Sequence, residues 1–313
     1  MVPFRVPEAS RAHPIVTSGY FTLQSGARLP YREWLPKGPP RAVVLALHGF
    51  NDSRDAWASS AAAFTRAGIA IYAPDQRGFG LGPRRGFWPS GGRLVRDARR
   101  MVAILHRNYP GTRLIVMGES MGGAEALILG AEGDPLVDGY VLISPAVWGG
   151  KAMELPLHAS LDVADTFAPW LRLTGRQVRI MASDDLRALW ALGADPLTIR
   201  ATRIATIAGL VRLMGRALRD CASFDPPHAL ILYGGHDQLI PKHAMAGCWR
   251  AIPRRALAAG RVTLAYYPPD YHLMLLDHER ARPREDIIRF ILHPDLPLNS
   301  PASGDAVIFL AEH

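Results

Sequence analysis

"LIVMGESMGGAEAL" (residues 114–127) changes character in its middle. Its first four residues form an apolar run typical of a buried strand, and its last seven are small and favour a helix. Between them, Ser120 is framed by Gly118 and Gly122 in a Gly-x-Ser-x-Gly pattern. Such a serine is either a nucleophile on a sharp strand-to-helix turn or a small residue that caps a helix. The strand before it and the helix after it favour the nucleophile.

Length and composition describe an ordinary globular protein. The chain has 313 residues, of which 49% are apolar and 20% charged. The start, "MVPFRVPEASRAHPIV", contains no apolar block of signal-peptide length, so we expect an irregular arm and a cytoplasmic protein. The two cysteines, Cys221 and Cys248, have no metal-ligand spacing, and we expect both to be reduced thiols.

The net charge of +8 is unevenly distributed. The segment from Arg77 to Arg113 contains nine arginines and one acid, Asp97. A charged helix face of this kind is usually a solvated surface, and the alternative is peripheral contact with an anionic membrane surface. Nucleic acid is not expected as a partner, because no binding motif accompanies the charge.

Strands and helices alternate along the chain until residue 146 and again from residue 225 to 293. Such alternation with apolar strands predicts a mostly parallel sheet covered by helices on both faces. The intervening segment 147–224 is helical and poor in strands, which predicts a cap over the strand ends. We expect an N-terminal arm (1–18), an α/β core (19–146 and 225–293), this cap, and a C-terminal tail (294–313) without an assigned role.

A serine nucleophile needs a base, and that base needs a carboxylate that fixes its tautomer. In this architecture the order along the chain is serine, acid, histidine, each after a strand. Asp237 follows the strand in "LILYGGHDQLIP", and His272 follows the next strand, in "VTLAYYPPDYHLML". Of the competing acids, Asp270 and Asp277 lie too close to His272 in sequence to fit this order. Ser120, Asp237 and His272 are the predicted triad.

The tetrahedral intermediate of such a reaction needs amide donors for its oxyanion. The backbone N–H of Met121 is one candidate, at the start of the helix that follows Ser120. The backbone N–H of Phe50, in the loop "LALHGFNDS", is the other, with Gly49 allowing the sharp turn. His48 is expected to brace this loop. The predicted chemistry needs no metal or cofactor.

Six stretches in this order resemble the α/β-hydrolase superfamily, and more narrowly its monoacylglycerol lipase/lysophospholipase branch, grouped with the serine aminopeptidase-like hydrolases. The stretches are "HGFNDS", "APDQRGFGLG", "GESMGG", "YVLISPAV", "GGHDQLIP" and "DYHLM". The resemblance implies a mostly parallel eight-stranded sheet, a helical cap and the triad above. It also implies a structural role for the Asp75–Gly80 stretch. One departure is Glu119, where this branch often has histidine.

The expected function is that of a serine hydrolase that cleaves carboxylic esters through an acyl-enzyme. Monoacylglycerol or lysophospholipid is the expected substrate. A small-ester carboxylesterase, a thioesterase and a peptidase remain open, because the same triad serves all of them. The alternative to an enzyme is a non-catalytic binding protein on the same fold, and such a protein would normally have lost part of the catalytic site.

Overall fold

The computed structural model describes residues 15–149, 155–174 and 180–313. An eight-stranded sheet runs in the order β1-β2-β4-β3-β5-β6-β9-β10, and β7 and β8 form a separate small pair. Only the β1–β2 and β2–β4 pairings of the large sheet are antiparallel. The strands are β1 (Ile15–Thr22), β2 (Arg28–Leu35), β3 (Ala42–Leu47), β4 (Ile69–Pro74), β5 (Arg113–Glu119), β6 (Gly139–Ile143), β7 (Arg172–Leu173), β8 (Thr202–Arg203), β9 (Ala229–Gly234) and β10 (Val262–Tyr267).

Helices cover both faces of this sheet. The described α-helices, including those of the segment between β6 and β9, are α1 (Ala58–Arg66), α2 (Gly91–Asn108), α3 (Met121–Glu132), α4 (Leu155–Phe167), α5 (Leu186–Ala194), α6 (Ile204–Asp220), α7 (Lys242–Ala251), α8 (Arg254–Ala258), α9 (Ala281–Leu292) and α10 (Ala302–Glu312). None of the helices that the structure describes is long and apolar enough to cross a bilayer. The mostly parallel sheet between two helical layers confirms the predicted α/β-hydrolase architecture.

The central strands are buried on both faces because successive side chains point to opposite sides of a sheet. In β3, Val43, Leu45 and Leu47 belong to the core under α2, α3 and α7. The alternate residues of β3, Ala42, Val44 and Ala46, belong to the core under α1 and α9. This two-sided burial explains why the strands read as continuous apolar runs.

The segment between β6 and β9 contains α4, α5, α6 and the β7–β8 pair. Its last helix, α6, packs against α3, the helix that follows Ser120. We keep 147–224 as the proposed cap, of which residues 150–154 and 175–179 lie outside the described part of the chain.

Both ends of the chain differ from the expectation. Strand β1 begins at Ile15, four residues before the predicted start of the core, and residues 15–18 pair with β2. The rest of the predicted arm, residues 1–14, lies outside the described residues. The tail forms α10, whose Phe309 is buried against Trp249 and stacks on Tyr266 with 4.6 Å between ring centroids. The tail therefore completes the core beside β10.

The prediction of two reduced thiols is wrong. Cys221 and Cys248 form a disulfide, with 5.4 Å between their Cα atoms, and both residues are fully buried. The bond joins the end of α6 to α7, across 27 positions of sequence. Disulfides persist in oxidising compartments, so this bond weighs against the predicted cytoplasmic location.

Replacing both cysteines by alanine should lower the free energy of unfolding by about 3–4 kcal/mol, because the bond restricts a loop of this length in the unfolded chain. Equilibrium denaturation in urea measures the change. Either single substitution breaks the same bond and should cost nearly as much as the double one. Equal stability of wild type and double variant would contradict the disulfide.

Candidate active site

Ser120 stands at a strained turn between β5 and α3. Its φ of 53° and ψ of −112° lie in a region that non-glycine residues rarely occupy. Its backbone N–H donates to the Ile143 carbonyl, and its own carbonyl accepts from the Ala146 amide, each at 2.9 Å. The two bonds tie the turn to the end of β6. Strained backbone that the surroundings hold this firmly is typical of functional sites.

The glycines around Ser120 allow this turn to form. A Cβ at Gly118 would lie 2.1 Å from the Gly122 carbonyl oxygen, and one at Gly122 would lie 2.1 Å from the Leu47 carbonyl oxygen. Both distances are far below van der Waals contact, so any other residue would force β5, α3 and β3 apart. The Gly-x-Ser-x-Gly pattern is therefore required by how closely the backbones pass here.

His272 and Asp237 lie side by side at the ends of neighbouring strands. His272 Nδ1 is 2.7 Å from Asp237 Oδ2, and both side chains are buried. The other carboxylate oxygen of Asp237 accepts the amides of Leu239 and Ile240 at 2.8 and 2.9 Å. A carboxylate fixed in this way orients the imidazole so that Nε2 can act as a base.

The environment of His272 raises its pKa. Burial by itself lowers the pKa, but the charge and the hydrogen bond of Asp237 outweigh burial, and Glu119 adds a smaller contribution. The pKa of Glu119 is raised to about 8, chiefly by its burial, with His272 acting in the opposite direction. Glu119 therefore carries little charge at neutral pH.

The two predicted oxyanion donors belong to the two backbone segments that adjoin Ser120, the start of α3 and the loop after β3. Met121 is the first residue of α3, and the first amides of a helix have no partner within the helix. Phe50 follows Gly49, where a Cβ would lie 3.6 Å from the Cβ of Ser120. The loop after β3 thus passes directly beside the candidate nucleophile.

His48 braces this loop. Its Nε2 accepts the Gln76 amide at 3.1 Å, which leaves the proton on Nδ1, 2.8 Å from the Gly49 carbonyl oxygen. Burial lowers the pKa of His48, which keeps the ring neutral. Asp75 has the structural role that the resemblance implies, because its carboxylate accepts the amides of Arg54 and Leu81.

An apolar cavity of about 380 Å³ opens above Ser120. Ser120, His272 and Phe50 line this cavity, together with residues of the proposed cap. The cap residues are Trp148, Ala182, Leu192, Thr198, Leu210, Val211 and Met214. Such an enclosed apolar space with a few converging polar groups is typical of a ligand site.

Asp277 has a role that the sequence did not suggest. Its carboxylate accepts the Tyr271 amide at 2.6 Å and the Asp184 amide at 3.3 Å. The Leu273 amide also donates to the Ala182 carbonyl oxygen. Asp277 thus helps to tie the loop that carries His272 to the proposed cap. Asp184 is about 90 residues away from Asp277 in sequence, and no local pattern points to this pairing.

Two further histidines, His236 and His278, do not line the cavity above Ser120. His236 is exposed and packs on Tyr271, and His278 is exposed after Asp277. Asp270 is buried, and its pKa is raised to about 7 by that burial and by Asp277. Neither this acid nor Asp277 takes the place of Asp237 beside His272. In the described ranges, no group of three or more His, Cys, Asp or Glu side chains could hold a metal ion.

The pattern of the family described as "Serine aminopeptidase, S33" (Hydrolase_4) matches residues 38–279. The chain belongs to this family. The hydrolase is 29% identical to a monoacylglycerol lipase of Mycolicibacterium smegmatis over 87% of its own length and 95% of the relative's. It is 32% identical to the human monoglyceride lipase over 76% of its own length and 78% of the relative's.

Solved structures share the fold of the hydrolase. A soluble variant of the Saccharomyces cerevisiae monoglyceride lipase, solved with a substrate analogue, has a TM-score of 0.74 at 18% identity and covers 93% of this chain and 98% of its own. The monoacylglycerol lipase of Paleococcus ferrophilus has a TM-score of 0.71 at 19% identity, over 84% and 98% of the two chains. The protein is a carboxylic ester hydrolase of the α/β-hydrolase fold.

Ser120→Ala and His272→Ala should each reduce kcat on a p-nitrophenyl ester by about 10⁵–10⁶, because nucleophile and base act as one unit. The double variant should be little slower than either single variant for the same reason. Circular dichroism of each variant controls for folding. Near-native turnover by folded Ser120→Ala would contradict the assignment, and so would additive losses.

The acid limb of the kcat/KM profile should follow the raised pKa of His272, since a protonated imidazole cannot accept the serine proton. Asp237→Asn should move this limb to lower pH and reduce kcat by about 10⁴. Glu119→Gln should leave the limb nearly in place and keep most of the activity, because Glu119 carries little charge at neutral pH. A limb that stays in place in Asp237→Asn would contradict the pairing.

Proposed function

We propose that this hydrolase cleaves monoacyl esters of glycerol through an acyl-enzyme on Ser120. The observation that carries the proposal is that Ser120 and His272 line an apolar cavity together with residues of the proposed cap. One acyl chain fits such a space, whereas the second and third chains of a triacylglycerol would meet its walls. The names of the relatives in Mycolicibacterium smegmatis and human agree with this substrate.

The proposed reaction begins when Ser120 Oγ attacks the ester carbonyl and His272 Nε2 takes the hydroxyl proton. The Asp237 carboxylate stabilises the imidazolium that forms. The amides of Met121 and Phe50 donate to the oxyanion of the tetrahedral intermediate. The imidazolium then protonates the departing glycerol oxygen, and a water molecule activated by His272 hydrolyses the acyl-enzyme.

The charges around the cavity favour a neutral glycerol head group over a phosphate. Among the residues that the structure describes, no lysine or arginine lines this cavity, and Asp52 is the one acid that does. Burial raises the pKa of Asp52 to about 7, so its carboxyl can donate or accept a hydrogen bond near neutral pH. Asn51 and Thr198 add neutral polar groups. Lysophospholipid is accordingly the weaker candidate.

The preference for substrates should grow with acyl length. Each methylene that enters the cavity should raise kcat/KM about fourfold until the cavity is full. A series of monoacylglycerols from C2 to C18, assayed by release of the free fatty acid, measures this slope, with a triacylglycerol and a lysophospholipid as comparisons. A profile that peaks at acetate and falls with length would leave a small-ester hydrolase.

We further propose that the cap contacts a lipid surface, which extends the expected peripheral membrane contact. Exposed large apolar side chains are concentrated between residues 163 and 190. Phe167, Trp170 and Trp190 are each at least 66% exposed. Large exposed apolar side chains of this kind are typical of interfaces with membranes or other molecules.

Trp190→Ser should weaken binding to lipid vesicles, because an apolar side chain is lost from the interface. Vesicle flotation measures binding, and turnover of a soluble short ester should stay unchanged. Val307→Ser is the matched control, since Val307 is 69% exposed on α10, outside the cap. Equal vesicle binding by both variants would contradict the proposed surface.

A further inference from the structure

The arginine-rich segment 77–113 takes no part in the proposed reaction. Several of its arginines have structural partners in the fold. Arg99 pairs with Glu132 at 2.7 Å, Arg85 donates to the carbonyls of residues 196–198, and Arg113 donates to the Ile291 carbonyl. Arg77, Arg84 and Arg93 instead converge on one small cavity.

This cavity has a volume of about 190 Å³ and lies beside the first turn of α2. The three arginines line it together with Phe87, Trp88 and Pro89. Within the described ranges, the one carboxylate that pairs with these arginines is Asp97, on Arg77. Three guanidinium groups against one carboxylate leave the cavity with an excess of positive charge.

Arg77 is fixed and incompletely paired. Its Nε donates to Asp97 Oδ2 at 2.7 Å, and its side chain is 15% exposed. Its Nη2 is buried and has no hydrogen-bond partner among the described residues. This atom is closed to solvent, so it adds positive potential beside the cavity without contacting what enters it.

The loop that carries Arg84 is held in place by its own backbone. Gly78 donates to the Pro83 carbonyl at 3.0 Å, and Gly86 donates back to the Gly78 carbonyl at 2.8 Å. The Arg84 guanidinium lies over the Phe87 ring, 5.6 Å from its centroid. A loop ordered in advance loses less entropy when a ligand binds.

We propose that Arg77, Arg84 and Arg93 bind a phosphate group, from a phosphate monoester in solution or from an anionic lipid headgroup. Guanidinium groups match the oxygens of a phosphate through paired N–H donors. The aromatic wall formed by Phe87 and Trp88 keeps water from one side of the ion pair. This site is separate from the cavity above Ser120 and shares no lining residue with it.

Isothermal titration calorimetry with inorganic phosphate, in chloride buffer of constant ionic strength, tests the proposal. Arg84→Gln and Arg93→Gln should each weaken saturable phosphate binding about tenfold, because each removes a charge-assisted contact. Arg96→Gln is the matched control: Arg96 is exposed on α2 and does not line the cavity. Arg77 is left intact because its removal would strand the buried Asp97.

Absence of saturable phosphate binding by the wild-type protein would overturn the proposal. An equal loss in Arg96→Gln would also overturn it, since that result indicates a diffuse field of charge along α2. Hydrolysis of a soluble ester is measured on the same samples, so failure of the phosphate site is distinguishable from failure of the catalytic assignment.

A second arm identifies the source of the phosphate. Binding to phosphatidylcholine vesicles that contain phosphatidic acid is compared for the same three variants. A larger loss in Arg84→Gln and Arg93→Gln than in Arg96→Gln assigns the site to a lipid headgroup. Equal vesicle binding by the three variants, together with the calorimetric loss, assigns it to a phosphate in solution.

Discussion

The close crossing of three backbones at Ser120 is the constraint on which the rest of the site depends. Gly118 and Gly122 let β5 turn into α3 while α3 passes against β3, with no space for a side chain at either position. The turn holds Ser120 at a positive φ, and it also sets the Met121 amide at the first position of the helix. A sheet with both faces buried supplies the rigidity that keeps this strain in place.

The other residues of the site come from distant parts of the chain, and separate contacts hold each of them in position. The bond to Asp237 orients His272, and Asp277 ties the His272 loop to the segment near Asp184 in the proposed cap. The Cys221–Cys248 disulfide fixes the other end of the cap to α7. The proposed cap is thereby joined to the α/β core at two separate places, and we expect movement of the cap to affect the position of His272.

Local patterns allowed much of this to be predicted from sequence. The alternation of apolar strands with helices predicted the mostly parallel sheet, and the order of residues along the chain singled out Asp237 and His272, which the structure places 2.7 Å apart. The features that the sequence did not predict depend on contacts between residues that are far apart along the chain. The two cysteines have no spacing pattern that marks a disulfide, and Asp277 bonds to an amide about 90 positions away. The role of α10 follows from the contact between Phe309 and Trp249.

The central claim is that the strained turn makes Ser120 the nucleophile of this hydrolase. Covalent labelling with a fluorophosphonate, followed by peptide mapping, tests it most directly, because the reagent reacts with an activated serine hydroxyl. We expect one adduct per chain, on the peptide that contains Ser120, and its loss in His272→Ala. An adduct on another serine, such as Ser144, or full inhibition without an adduct on Ser120 would contradict it.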